Sequence, residues 1–213
     1  MGKTDPRILK TRRKLKTSFL TLLATHRLSE INIKELTQTA EITRGTFYLH
    51  YKDKESYIHA MMLELTNECF EEVIYPSNYR EENTVPIFSL VDFLKYVAER
   101  PSFFRALLKE SEATEYHLYF IEQLSSYMSQ HQEISKIRKY QHIPKELIVS
   151  FLSYSILGYV VNWIENGQIY TYHYMAENLD KLLDSELLRE VGLDKFFVLS
   201  GAETVSKFEP QEV

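Results

Sequence analysis

The stretch that decides the fold is Ala40-Glu41-Ile42-Thr43-Arg44-Gly45-Thr46-Phe47-Tyr48-Leu49-His50-Tyr51-Lys52-Asp53-Lys54-Glu55. Ile42 and Phe47 are its apolar anchors, five residues apart. Between and after them come small, polar and aromatic residues with few acidic ones. Just upstream, Ile31-Asn32-Ile33-Lys34-Glu35-Leu36 opens another helix. Asn32 is a capping residue, Glu35 stands three positions later as in a capping box, and Ile31 and Leu36 have the spacing of a hydrophobic staple. Two short helices in succession, the first ending near Ala40, are what a helix-turn-helix requires: one helix braces against a nucleic-acid backbone and the other enters the major groove. Ile33, Leu36, Ala40, Ile42 and Phe47 fix the crossing. Thr43, Arg44, Thr46, Tyr48 and His50 fall on or near the outer face, and Gly45 permits close approach.

Charge supports that reading. The 213 residues carry a formal net charge of −5, but residues 1–54 hold 12 Lys and Arg against 5 Asp and Glu, a net +7, and the rest is net −12. A basic end on an acidic chain is the footprint of a protein that meets a polyanion at one end. Helix 1 opens at Asp5-Pro6, with Asp5 as cap and Pro6 where a missing N–H costs nothing. Its stripe is Leu15, Phe19, Leu22 and Leu23, and its early turns are crowded with Arg7, Lys10, Arg12, Arg13, Lys14 and Lys16. Asp53 caps a fourth helix, with Ile58, Met61, Met62, Leu65, Cys69 and Val73 as its buried stripe.

The segment Gly45-Thr46-Phe47-Tyr48-Leu49-His50-Tyr51, followed by Lys54-Glu55, resembles the DNA-binding head of the TetR family of regulators, which runs small residue, Thr, aromatic or Leu, Tyr, any residue, His, aromatic, and then Lys-Glu within a few residues. The likeness covers about residues 5–65. It implies base-edge or mixed contacts by Lys34, Arg44 and Thr46, and phosphate contacts by Thr43, Tyr48, His50, Tyr51 and Lys54. In one place the chain departs from the pattern: Glu41 stands in the turn where the family usually has Gly, a position that often needs positive φ. Either the turn is relaxed, or Glu41 points to solvent.

Beyond the head, helical patterns run over Phe88–Ala98, Ser102–Ser111, Thr114–Met128, Pro144–Asn166 (with Gly167 as C-cap) and Tyr174–Leu188, while Pro76 to Pro86 reads as a loop. With 6 Gly and 6 Pro and this periodicity, the expected class is all-α, in three parts: a helix-turn-helix domain at 1–57 (helix 4, about 54–75, connecting), a helical effector-binding and dimerisation domain at 58–191, and a tail at 192–213. The resemblance places a ligand pocket in the later helices, drawn here from Phe103, Phe104, Leu107, Tyr116, Phe120, Tyr159 and Trp163, residues that equally suit an aromatic core. It places a homodimer interface on the last two long helices, drawn from Leu152, Ile156, Tyr159, Met175, Leu179 and Leu182. Ser155 to Gly167 with Met175-Ala176-Glu177 also resembles the C-terminal region of a Gram-positive branch that includes regulators of dihydroxyacetone kinase operons.

The resulting expectation is a regulator that binds a palindromic operator in double-stranded DNA as a dimer and represses until a small-molecule effector releases it. The alternatives are an activator of a neighbouring operon, or a small-molecule-binding helical protein with a vestigial head. No cofactor, metal site or catalytic residue is expected: there is no His-Glu-x-x-His, no nucleophile elbow, no phosphate-binding loop and one cysteine, Cys69. With no apolar segment near a basic N-terminus and a longest apolar run, Phe151 to Ile164, short for a membrane span, the expected location is the cytoplasm, away from membranes.

Overall fold

A computed structural model describes residues 6–79, 83–135 and 144–201. Helices dominate: α1 (Pro6–Leu23), α2 (Ile33–Thr39), α3 (Arg44–Tyr48), α4 (Lys54–Val73), α5 (Leu90–Glu99), α6 (Pro101–Lys109), a 3-10 turn (Ser111–Ala113), α7 (Thr114–Ser135), α8 (Lys145–Glu165), α9 (Tyr172–Leu183) and α10 (Glu186–Glu190). The all-α expectation holds, with one addition. A small sheet is built from β1 (Ile74–Tyr79), β2 (Asn83–Ser89) and β3 (Phe197–Val198), in the order β1-β2-β3. Asp5, expected as the cap of α1, lies outside the described residues.

The sheet corrects the expected loop between Pro76 and Pro86. β1 and β2 are an antiparallel pair in which Pro76 faces Pro86. Two prolines can face each other only where neither N–H is asked of the ladder, and β1 is an edge strand, where proline is tolerated. The prolines that read as punctuation are thus a matched pair within a hairpin. β3 adds to β2 in parallel, with Phe88 opposite Phe197, and so draws the apolar patch near the end of the chain onto the hairpin.

Packing divides the described chain into two compact units, one running to Asn67 and including Arg100–His117, the other formed by Glu68–Glu99 and the chain from Leu118 onward. In the first unit the core beneath the helix-turn-helix is aromatic and short-range. Tyr57 is fully buried between Phe19, Phe47 and Tyr51, with ring centroids 5.8, 5.4 and 4.9 Å away. Its hydroxyl donates to the Leu15 carbonyl at 2.8 Å, joining α4 to α1. Burial pushes that hydroxyl's pKa far up, so it stays a donor. The expected α4 stripe, Ile58 to Val73, is buried throughout.

In the second unit Phe88, Phe93, Phe120, Phe196 and Phe197 form one cluster. His131 on α7 is buried against Phe196 and lies 2.8 Å through Nδ1 from the Pro86 carbonyl. A carbonyl only accepts, so Nδ1 carries the proton and donates. α7 continues beyond its expected end at Met128, and the expected helix Tyr174–Leu188 is broken at Asp184 and Ser185, where Ser185 caps α10 by accepting from the Leu188 amide.

α8 has the length and apolarity of a membrane-crossing helix, but half of its apolar stretch is buried inside the protein. It ends at Gly167, whose φ of +75° closes the helix with bonds from Gly167 N to Ile164 O and Gln168 N to Trp163 O.

Candidate nucleic-acid interface

The site is built from local rules. Asn32 Oδ1 accepts from the Glu35 amide at 3.0 Å and starts α2. Thr43 Oγ1 accepts from the Thr46 amide at 3.0 Å and starts α3. Asp53 Oδ1 accepts from the Ser56 amide at 2.7 Å, while Ser56 Oγ accepts from the Asp53 amide at 3.2 Å, a reciprocal box that starts α4. Those bonds hold the Asp53 carboxyl below its ordinary range, so the cap persists as pH falls below neutrality.

The turn between α2 and α3 answers the question posed by Glu41. Its φ is +53°, and Glu41 N bonds Gln38 O while Ile42 N bonds Thr37 O. This is the same closing pattern as at Gly167, in which the left-handed position is normally glycine. The turn has not relaxed; a side chain occupies a strained backbone position. Its carboxylate points to solvent and lies 3.3 Å from Lys14 Nζ of α1.

On α3 the outward residues are Arg44, Gly45, Tyr48 and, just beyond, Leu49; Tyr48 is 54% exposed and Leu49 84%. Lys34 is exposed at the start of α2, and Thr46 and His50 are half-buried at the margin. The hydroxyls of Thr43 and Thr46 lie 3.0 Å apart, and that of Thr43 also accepts the capping bond. A Cβ on Gly45 would meet only the Thr43 hydroxyl, at 3.6 Å, so its outer side is open. Lys54 is half-buried and donates to the Ser29 carbonyl at 2.9 Å, which ties the start of α4 to the turn after α1.

Tyr51 differs from its expected role. It is 7% exposed, its hydroxyl is covered, and its ring lies against Phe47, so it serves the core rather than a phosphate. Tyr57, the centre of that core, stands outside the expected stripe. The available signal was its place one turn after the Asp53 cap, offset by one residue from the stripe that begins at Ile58.

The residues expected to line a pocket are split between the two units. Phe103, Phe104 and Leu107 are filled core of the first, with the two phenyl rings 5.1 Å apart, and Tyr116 borders a groove there. Phe120 is core in the second unit, where Tyr159 donates to the Met175 carbonyl at 2.9 Å and Trp163 Nε1 to the Tyr170 carbonyl at 3.1 Å.

Of the residues expected at a dimer interface, Leu152, Ile156, Met175 and Leu179 are buried in the protomer itself, Tyr159 is half-buried and Leu182 is 69% exposed. The apolar residues that α8 does turn outward are Leu147, Phe151 and Tyr154, with Gly158 in line after them and nothing within 4 Å of its missing Cβ. Among the described residues no group of His, Cys, Asp or Glu is placed to hold a metal ion.

A basic helix-turn-helix followed by further helices defines the class of helix-turn-helix transcriptional regulators. Residues 86–185 match the family model TetR_C_8, described as a transcriptional regulator C-terminal region. The chain is 24% identical over 182 residues to YxbF of Bacillus subtilis (strain 168), described as an uncharacterized HTH-type transcriptional regulator; the match covers 84% of this chain and 46% of that relative, so the chain spans less than half of its length. Among solved structures, the fold is similar to that of a TetR transcriptional regulator from Streptococcus agalactiae 2603V, at 21% identity and a TM-score of 0.59 over 85% of this chain and 97% of that one. It is also similar in fold to the dihydroxyacetone kinase operon activator DhaS, at 16% identity and a TM-score of 0.54 over 81% and 96%. In its C-terminal region and in its fold, the chain is similar to TetR-type transcriptional regulators.

Proposed function

We propose that the protein binds a palindromic operator as a homodimer, represses transcription in the cytoplasm, and is released by a small-molecule effector. The observation that carries this reading is α3, a short capped helix that presents Arg44, Gly45 and Tyr48 outward on a segment of net charge +7. Arg44 is assigned to guanine O6 and N7, a pairing that discriminates by about 1–3 kcal/mol, with Lys34 and Thr46 beside it. Thr43, Tyr48, His50 and Lys54 are assigned to phosphates, which position the head without reading sequence. The functional division is a head to residue 57, with the effector-binding and dimerising body after it.

For the dimer, the outward Leu147, Phe151, Tyr154 and Gly158 of α8, at helical spacing, with Tyr174 and Leu182 of α9, are assigned to the interface. An apolar stripe of this kind is what an interface between protomers buries. Release is a population shift: an effector that prefers one conformation by about 1–3 kcal/mol changes operator affinity roughly 5- to 150-fold.

The test is a pair of variants. Tyr48→Ala weakens binding to every duplex and lowers the salt slope. Arg44→Ala relaxes preference at particular base pairs; an unchanged preference removes the base-reading assignment. Activation is the second reading, since one fold neighbour is an operon activator. Deleting the gene separates the two: target expression rises under repression and falls under activation.

A further inference from the structure

Within the first unit a groove of about 550 Å³ opens between the start of α4, the turn after α1 and the segment that leads into α7. Its floor is apolar, formed by Leu28, Ile58 and Tyr116, all nearly buried. Its rim is acidic: Glu55, Glu112 and Glu115 all line it and all are exposed. The Glu112 carboxyl is held below its ordinary range by a backbone N–H and the Ser111 hydroxyl, which donates at 3.1 Å. Two basic groups also face the groove. Lys54 is engaged with the Ser29 carbonyl, and His59 Nδ1 lies 3.6 Å from Glu115 Oε1, with its ring 5.7 Å from that of Tyr116. Three carboxylates against the engaged Lys54 ammonium, and against Arg27 whose charge reaches Glu112 from outside the lining, leave the rim negative whenever His59 is neutral.

A volume in the range of about 300–1,000 Å³ with an apolar floor suits a small molecule. The rim decides its charge. An anion would meet three carboxylates. An organic cation would bury its apolar body on Leu28 and Ile58, lay its charge near the Tyr116 ring, and meet the glutamates at the edge. We infer that this groove is a binding site for an organic monocation with an aromatic or branched apolar body, one per protomer, and that its occupation alters DNA binding through Ser29 and Lys54. The second half rests on the operator-binding reading. Ser29 and Lys54 both line the groove, and their bond fixes the first turn of α4 to the head. A ligand wedged beside that bond favours one seating of α4 over another.

The experiment uses the full chain at pH 8, above the range in which imidazoles usually titrate. Benzyltriethylammonium is titrated calorimetrically, with phenylmethanesulfonate as the anionic control. Saturable binding at one site per protomer is expected for the cation and none for the anion. The triple variant Glu55→Gln, Glu112→Gln, Glu115→Gln, all at exposed positions, should weaken the cation at least about tenfold, and added salt should weaken it in the parent. Ile58→Trp, which fills the floor, should abolish binding; because it touches the core, the glutamine variant carries the test if it misfolds.

No saturable binding, or equal affinity in the glutamine variant, overturns the site. Affinity for duplex DNA is then measured with and without saturating cation. A change of at least about fivefold is expected, and no change overturns the coupling. DNA binding without cation binding sinks the groove alone; cation binding without DNA binding sinks the operator reading and leaves the groove.

Discussion

The helix-turn-helix core within the first unit and the core of the second close over different distances along the chain. In the first, the Tyr57 hydroxyl reaches back 42 residues to Leu15, and Phe47, Tyr51 and Tyr57 meet within one short segment. In the second, the Gly201 amide donates to Ser89 Oγ across 112 residues, and Phe88 N bonds Phe196 O. A core that closes locally leaves its plan in adjacent residues, as caps and periodic stripes. A core closed by the far end of the chain does not, because neither partner segment signals the other.

The largest expected effects come from cutting each core at its aromatic centre. Phe47→Ala and Phe196→Ala each remove a fully buried ring, and each should cost about 3–5 kcal/mol. Hydrogen exchange separates them. Phe47→Ala should expose amides in residues 6–57 and spare that of Phe88; Phe196→Ala should do the reverse. Loss of protection everywhere in both variants would mean that the two cores unfold as one, and the contrast would fail.

The next effect sharpens the long-range closure. A Cβ on Gly201 would collide with the Tyr75 ring, so Gly201→Ala must displace that ring. Denaturant unfolding should show a loss of about 1–3 kcal/mol, with DNA binding by the folded protein intact. A neutral result would mean that the segment around Gly201 is not part of the second core.

The same contrast explains what could be read in advance. Asn32 and Asp53, the Ile31 and Leu36 staple and the stripe from Ile58 to Val73 act over three to five residues, and each is found where sequence places it. The break at Ser185 is just as local, but its cap signal is outweighed by the continuing apolar pattern of Leu182, Leu183, Leu187 and Leu188. The hairpin was illegible for a different reason: Pro76 and Pro86 are strand breakers alone and compatible only as a facing pair. At the candidate interface, residue type and order gave Arg44, Gly45 and Tyr48 their outward positions. They could not reveal that Tyr51 turns inward, since an aromatic beside His50 suits either face. On α8, periodicity defined two faces, and only packing decides that Leu152 and Ile156 point in while Phe151 and Tyr154 point out.

A smaller effect is expected in the helix-turn-helix turn. Three helix ends share one closing pattern, at Glu41, Gly167 and Gly192, and a glutamate takes the place at the first that glycine holds at the other two. Glu41→Gly removes the strain and loses the exposed pairing with Lys14, for a net gain of about 0.5–1 kcal/mol, read as a raised denaturation midpoint. A loss would mean that the ion pair outweighs the backbone.

The smallest effect belongs to His131. Burial lowers its pKa from the ordinary 6.5, against the opposing pull of the Pro86 carbonyl and Asp194. The unfolded chain therefore takes up the proton first as pH falls. The stability this residue contributes is complete above about pH 6.5 and is lost as pH falls from there toward the folded-state value. His131→Gln should flatten that part of the stability profile; an unchanged slope would assign the acid sensitivity to other groups.

The central claim, a sequence-reading dimer, is met most directly by incubating the purified full chain with random duplex DNA near physiological salt and sequencing what is retained. The account predicts an enriched palindrome whose half-sites are separated by about 10–10.5 base pairs or a multiple of that turn, and loss of its enrichment in Arg44→Ala. Salt-sensitive retention with no enriched sequence would contradict it.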